Sequence, residues 1–207
     1  KLKMILAEFE KKLDSVTGYK ASRLKYANEL LENSELFPQL VPLCFLTSNK
    51  NAAKACWILE LICYEKIEWL QEYLDFFCSN IKNTTDKSAI RALSKICLLL
   101  TTSHFKKKEI KLTKNQLQQI TETCFDWLMT DMKVASKCYA IRSLYLLGNH
   151  FDWIHPELKV ILEKDFTSHS AASWSSISLP QLHFFGITET IILCLWPSLV
   201  IFHLPLI

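Results

Sequence analysis

The chain has 207 residues, half of them apolar and 22% charged, with a net charge of +3. That balance suits one folded domain with ample material for a core, and it neither demands nor excludes a nucleic-acid partner. Only Gly18, Gly148 and Gly186 are glycines, which excludes a glycine-rich dinucleotide turn or phosphate-cradling loop and disfavours the many tight turns of an all-β sandwich.

Apolar periodicity predicts helix after helix. Residues 2–15 carry the stripe Leu2, Ile5, Leu6, Phe9, Leu13, and residues 19–33 repeat it with Leu24, Ala27, Leu30 and Leu31. Pro38 and Pro42 bracket a shorter helix running to Leu46. A polar run, Thr47-Ser48-Asn49, then opens an apolar helix over 50–64. Helices follow at 67–82 and at 86–101, the latter capped by Thr85 or Asp86. A lysine-rich connection containing FKKKEIK (105–111) reads as a solvated linker before a helix at 114–130. The last predicted pair is 132–147, ended by Gly148-Asn149, and 154–165, with Pro156 in its first turn. The cysteines at 44, 56, 63, 78, 97, 124, 138 and 194 include no CxxC pair. No leader-like segment precedes them, and all but Cys78 sit among apolar neighbours, so the expectation is buried, reduced thiols in a cytoplasmic protein.

Two stretches echo one another. IEWLQEYL (67–74) and FDWIHPEL (151–158) share Trp, an aliphatic, three residues and Leu. The helices before them also match, with Ala52-Ala53-Lys54-Ala55 and Ala135-Ser136-Lys137-Cys138, and Ala89-Ile90-Arg91-Ala92 lies between. Lys54, Arg91 and Lys137 are 37 and 46 residues apart, near the ~40–47 residue period of two-helix repeat units. Cys124-Phe125-Asp126-Trp127-Leu128 supplies the second-helix aromatic of the middle copy.

On Asp86 to Arg91 (D-x-x-A-x-R), Asp131 to Lys137 and the shared Trp motifs, residues 20–166 resemble HEAT-like helical-repeat proteins. That resemblance implies an all-α fold, a short right-handed α-solenoid of about four HEAT-like helical hairpins. Leu24-Lys25-Tyr26-Ala27-Asn28 and Asp152 to Lys159 further resemble segments of small bacterial helical proteins sometimes labelled adenylosuccinate lyase. Membership of the lyase superfamily implies a catalytic Ser in a Gly-Ser-Ser-x-Met-Pro loop, and no such segment exists here. Lyase activity is therefore the least favoured reading.

The domain is expected to occupy 1–172. Residues 173–207 form an apolar tail, and residues 166–207 carry a single charged side chain, Glu189. Ile191 to Ile207 is shorter than a ~20-residue membrane span, lacks basic flanks and holds Pro197 and Pro205. The expectation ranks foreign or out-of-frame sequence first, a weak membrane anchor second and a packed helix third.

No motif predicts a cofactor, a metal or catalysis. His150, Asp152 and His155 have no metal-ligand spacing. The favoured function is a non-catalytic scaffold or protein-binding module, and nucleic-acid binding or DNA repair on the same architecture is the alternative. For partner binding the candidate stripe is Lys54, Arg91 and Lys137, with Lys50, Lys87 and Lys133 one turn earlier, repeated along one side of the stack. The same cations can instead partner Asp86, Asp131 and Glu60 within the chain, which is the better-weighted reading. For a nucleic-acid groove the candidates are Asp126-Trp127 and Asp152-Trp153, set against the commoner role of Trp as a packing anchor. A membrane partner enters only through the tail.

Overall fold

The computed structural model describes residues 9–168, and among them the regular structure is all helical. The proposed boundary at 172, the apolar tail and residues 2–8 of the expected opening helix lie outside the described residues. In chain order the helices are α1 (9–14), α2 (Lys20–Glu32), α3 (Phe37–Leu43), α4 (Ala52–Glu65), α5 (Leu74–Asn80), α6 (Lys87–Thr102), α7 (Lys114–Met129), α8 (Val134–Leu147) and α9 (Ile154–Ser168). Their starts follow from local chemistry. Asp86 caps α6 by accepting from the Ser88 and Ala89 amides at 2.8 Å. Thr113 and Gln116 form a reciprocal capping box at α7, satisfying two amides that the helix itself cannot.

The expected helix over 67–82 is three pieces. Ile67–Tyr73 is a 3₁₀ segment, α5 follows, and Ile81–Asn83 is 3₁₀ again. The reason is visible in the spacing: a three-residue period eclipses Ile67, Leu70 and Tyr73. That places Ile67 and Leu70 in the core while the Tyr73 and Trp69 rings meet Phe37 edge-on at 5.6 and 5.5 Å. FKKKEIK is likewise more ordered than a solvated linker. A π turn, Ser103–Lys107, closes with the Lys108 amide donating to the Ser103 carbonyl, and Lys108 takes the left-handed conformation at φ 65°. Ile110 and Leu112 are buried beneath it.

Packing follows a simple register. α2 contacts α4, α4 contacts α6, and α6 contacts α8. Trp57 bonds Ser88 and Glu60 pairs with Arg91, both partners 31 positions on, so α4 and α6 run parallel. Lys87 pairs with Asp131, 44 positions on, and Lys95 meets Tyr139 at the same separation, so α6 and α8 are parallel too. A second set stands beside this row: Gln116 on α7 donates to Asp75 on α5, α7 packs on α8, and α8 on α9. Between the sets lies an apolar core including Ile58, Leu59, Ile62, Ile90, Leu93, Ile96 and Phe77, all fully buried. α6 is its centre, flanked by α4 and α8. The seven described cysteines are buried and unbridged. Burial pushes the Cys78 thiol up to about 12 and the Cys63 thiol higher still, so these behave as small apolar groups rather than nucleophiles.

Candidate binding face

The register decides where the predicted basic stripe falls. Lys50 and Lys54 stand at the start of α4, against the end of α1. Lys54 Nζ donates to the Leu13 and Asp14 carbonyls at 3.1 and 2.8 Å, a cation set on the C-terminal carbonyls of a helix. Lys50 pairs with Asp14 at 2.9 Å, and Asn51 donates to the same carboxylate at 2.8 Å. The Asn51 amide and then Lys50 hold the Asp14 carboxyl below its ordinary value. Lys87, Lys133 and Lys137 gather around the starts of α6 and α8. Lys87 pairs with Asp131 at 2.6 Å and, with Lys137 nearby, lowers the Asp131 pKa. Lys133 is the exposed N-cap residue of α8. Arg91 belongs to neither group. Three of these six cations are thus engaged by carboxylates within the chain, Lys50 with Asp14, Lys87 with Asp131 and Arg91 with Glu60.

The tryptophans divide by environment. Trp127 is 3% exposed and packs in the core, with Asp126 on the solvent side of the same helix. Trp153 is 54% exposed and stacks on Phe125 with centroids 5.5 Å apart; Asp152 beside it is exposed. His155 turns inward: its Nε2 lies 3.0 Å from the Tyr145 carbonyl and its ring covers Gly148. Among the described residues no group of three or more His, Cys, Asp or Glu could hold a metal ion.

A different constellation runs across α2, α4, α6 and α8, built around Glu60. This carboxylate is 3% exposed, the one charge in the apolar run Ile58-Leu59-Glu60-Leu61-Ile62. A bare buried carboxylate is strongly unfavourable, so the fold supplies two cations. Arg91 meets it at 3.2 Å and Lys95, one turn further along α6, at 3.1 Å. Lys95 Nζ also lies 5.0 Å from the Tyr64 ring centre and 6.0 Å from that of Tyr139, bridging α4, α6 and α8. One turn before Glu60, Trp57 is half-buried and donates its indole N–H to Ser88 at 3.1 Å. The Arg23 guanidinium of α2 lies over that ring at 6.0 Å. Arg142, one turn beyond Tyr139, continues the line on α8. Arg23 and Arg142 make no ion pair among the described residues, and the Nε of each is buried without an acceptor.

The result is a face on which aromatic rings alternate with cations: Arg23, Trp57, Arg91, Tyr64, Lys95, Tyr139 and Arg142, with Glu60 as the carboxylate beneath. Sequence reasoning reached only Arg91 and the Glu60 partnership. The pattern Trp57, Glu60, Tyr64 at i, i+3, i+7 and the Arg91/Lys95 pair at i, i+4 carry a readable signal. The pairing of α4 with α6 through an offset of 31 was not readable. No family model, curated protein or solved structure matches this chain.

Proposed function

We propose that this chain is a non-catalytic helical-repeat binding module, a short right-handed α-solenoid with HEAT-like packing, whose partner lies on the face of α2, α4, α6 and α8. The observation that carries this reading is the row of cations and rings organised by Glu60. A buried carboxylate bonded to two half-shielded cations fixes their positions in advance, so less side-chain freedom is lost when a partner arrives. Parallel, in-register α4, α6 and α8 support the solenoid, since that is how successive units of a stacked repeat present equivalent positions to one side. Arg23 and Arg142 stand toward the two ends of that row and make no ion pair among the described residues, so their charges are not neutralised within it.

Retention on a heparin column tests the reading. The double reversal Arg23→Glu/Arg142→Glu should elute at clearly lower salt than the parent. It should also elute earlier than the charge-matched control Lys25→Glu/Lys82→Glu, built on exposed lysines. Equal elution of the two variants removes the face as the binding surface. Turnover of adenylosuccinate by the pure chain would overturn the non-catalytic reading itself.

A further inference from the structure

We propose that the ligand of this face is single-stranded nucleic acid, a deepening that rests on the binding-module reading above. Charge complementarity sets the sign: Arg23, Arg91, Lys95 and Arg142 stand against Glu60 in this row, so an anionic polymer is favoured. An acidic protein segment would satisfy the cations but has no use for the rings. Trp57, Tyr64 and Tyr139 lie within 5.0–6.0 Å of those cations, interleaved with them from helix to helix. Neighbouring helices pack roughly 8–10 Å apart, so the line from Arg23 to Arg142 spans roughly 25–30 Å, a length suited to several nucleotides. Rings beside cations at that spacing match a strand that offers base faces and phosphates in turn.

The same rings argue for an unpaired strand. A duplex keeps its base faces stacked against one another, so flush side chains reach only its backbone. A single strand can lay a base on Tyr64, which is 59% exposed, while its phosphates meet the charges of Arg23 and Arg142, which make no ion pair among the described residues. Trp57, fixed by its bond to Ser88 and covered by Arg23, adds a rigid planar platform at the α2 end. Glu60 faces Arg91 and Lys95 from below, limiting how deeply phosphate enters and leaving the outer arginines as the main phosphate contacts.

The test uses the full chain and fluorescence anisotropy with four probes: labelled 12-nucleotide oligo-dT, labelled 12-nucleotide oligo-U, a 12-base-pair duplex and a poly-Glu peptide. The expected result is tightest binding to the single strands. Affinity should fall with salt along a log–log slope of about −1.4 to −3, as two to four phosphate contacts would give. Tyr64→Ala and Tyr139→Ala should each weaken oligo-dT on the order of tenfold while leaving poly-Glu binding unchanged. Arg23→Glu/Arg142→Glu should weaken every anionic probe, with thermal melts confirming that each variant is folded. Duplex or poly-Glu binding as tightly as single strands, or unaffected oligo-dT binding in both tyrosine variants, overturns the single-strand inference. If the arginine reversal still weakens those probes, the face itself stands. If no probe binds, or the arginine reversal changes nothing, both the inference and the reading beneath it fall.

Discussion

Replacing Glu60 by Gln keeps the volume of a side chain that is 3% exposed and deletes the charge shared by Arg91 and Lys95. Breaking a buried pair by removing one partner costs about 3–5 kcal/mol, because the remaining charge loses its compensation. Here the two cations keep 28% and 25% side-chain exposure, and water screens part of what is lost. The expected cost is therefore about 2 kcal/mol. For a domain of this size that is a fall in Tm of roughly 4–8 °C. Urea unfolding followed by circular dichroism reads it directly. Adding Arg91→Gln and the double variant gives a coupling energy, expected above about 0.5 kcal/mol for groups in contact. The reasoning is refuted if Glu60→Gln unfolds within about 0.5 kcal/mol of the parent, or if the two substitutions are additive. Either result would mean that Glu60 is hydrated or neutralised without α6, and that it does not set the cations of the face.

Other outcomes follow from single contacts. Asp86→Ala leaves the Ser88 and Ala89 amides without their side-chain acceptor and should cost about 1 kcal/mol in the same unfolding assay. At Gly148 an added Cβ overlaps the His155 ring, so Gly148→Ala should destabilise by about 1–3 kcal/mol; a neutral result would show that the ring swings out freely. Trp127→Ala should cost about 3–5 kcal/mol, whereas Trp153→Ala, at a half-exposed ring, should cost far less. Comparable losses would mean that Trp153 anchors α9 as firmly as Trp127 anchors the core. Finally, His104 Nδ1 accepts from the Leu112 amide, and desolvation, then Lys108 and His150, lowers its pKa below the ordinary 6.5. The folded chain thus resists a proton that the unfolded chain takes up. Stability is level above about pH 6.5 and falls as the pH drops through that value toward the lower folded pKa. A lower protection of the Leu112 amide, measured relative to its intrinsic exchange rate, near pH 5.5 than at pH 7.5, with the difference absent in His104→Asn, checks this.

The helix inventory was legible because apolar residues recur in a helical rhythm along α2, α4, α6, α7, α8 and α9, and because Asp86 and Thr113 mark the starts of α6 and α7 as side-chain caps. Residues 67–83 escaped because the apolar spacing of Ile67, Leu70 and Leu74 serves a 3₁₀ turn and an α-helix almost equally; the Phe37 contacts of Trp69 and Tyr73 are tertiary. The echo of Trp69 in Trp153 likewise joins two rings in unlike surroundings, one half-buried against Phe37 and one exposed over Phe125. Intramolecular partnership was readable at Lys87–Asp131 and Arg91–Glu60, since each acidic residue stands in a helix-rich sequence with cations nearby. The binding face was not. Arg23, Lys95, Tyr139 and Arg142 are ordinary residues on three separate helices, and they share a surface only through offsets of 31 and 44 that connection lengths do not encode.

The most direct test of the central claim is photo-crosslinking to a 12-nucleotide RNA carrying 5-bromouridine, with the attachment sites read by mass spectrometry. Adducts are expected on Trp57, Tyr64 and Tyr139 and none on Tyr19, which at 81% exposure reports indiscriminate contact. Adducts confined to Tyr19, Trp153 or Trp69, with the rings around Lys95 untouched, would contradict it.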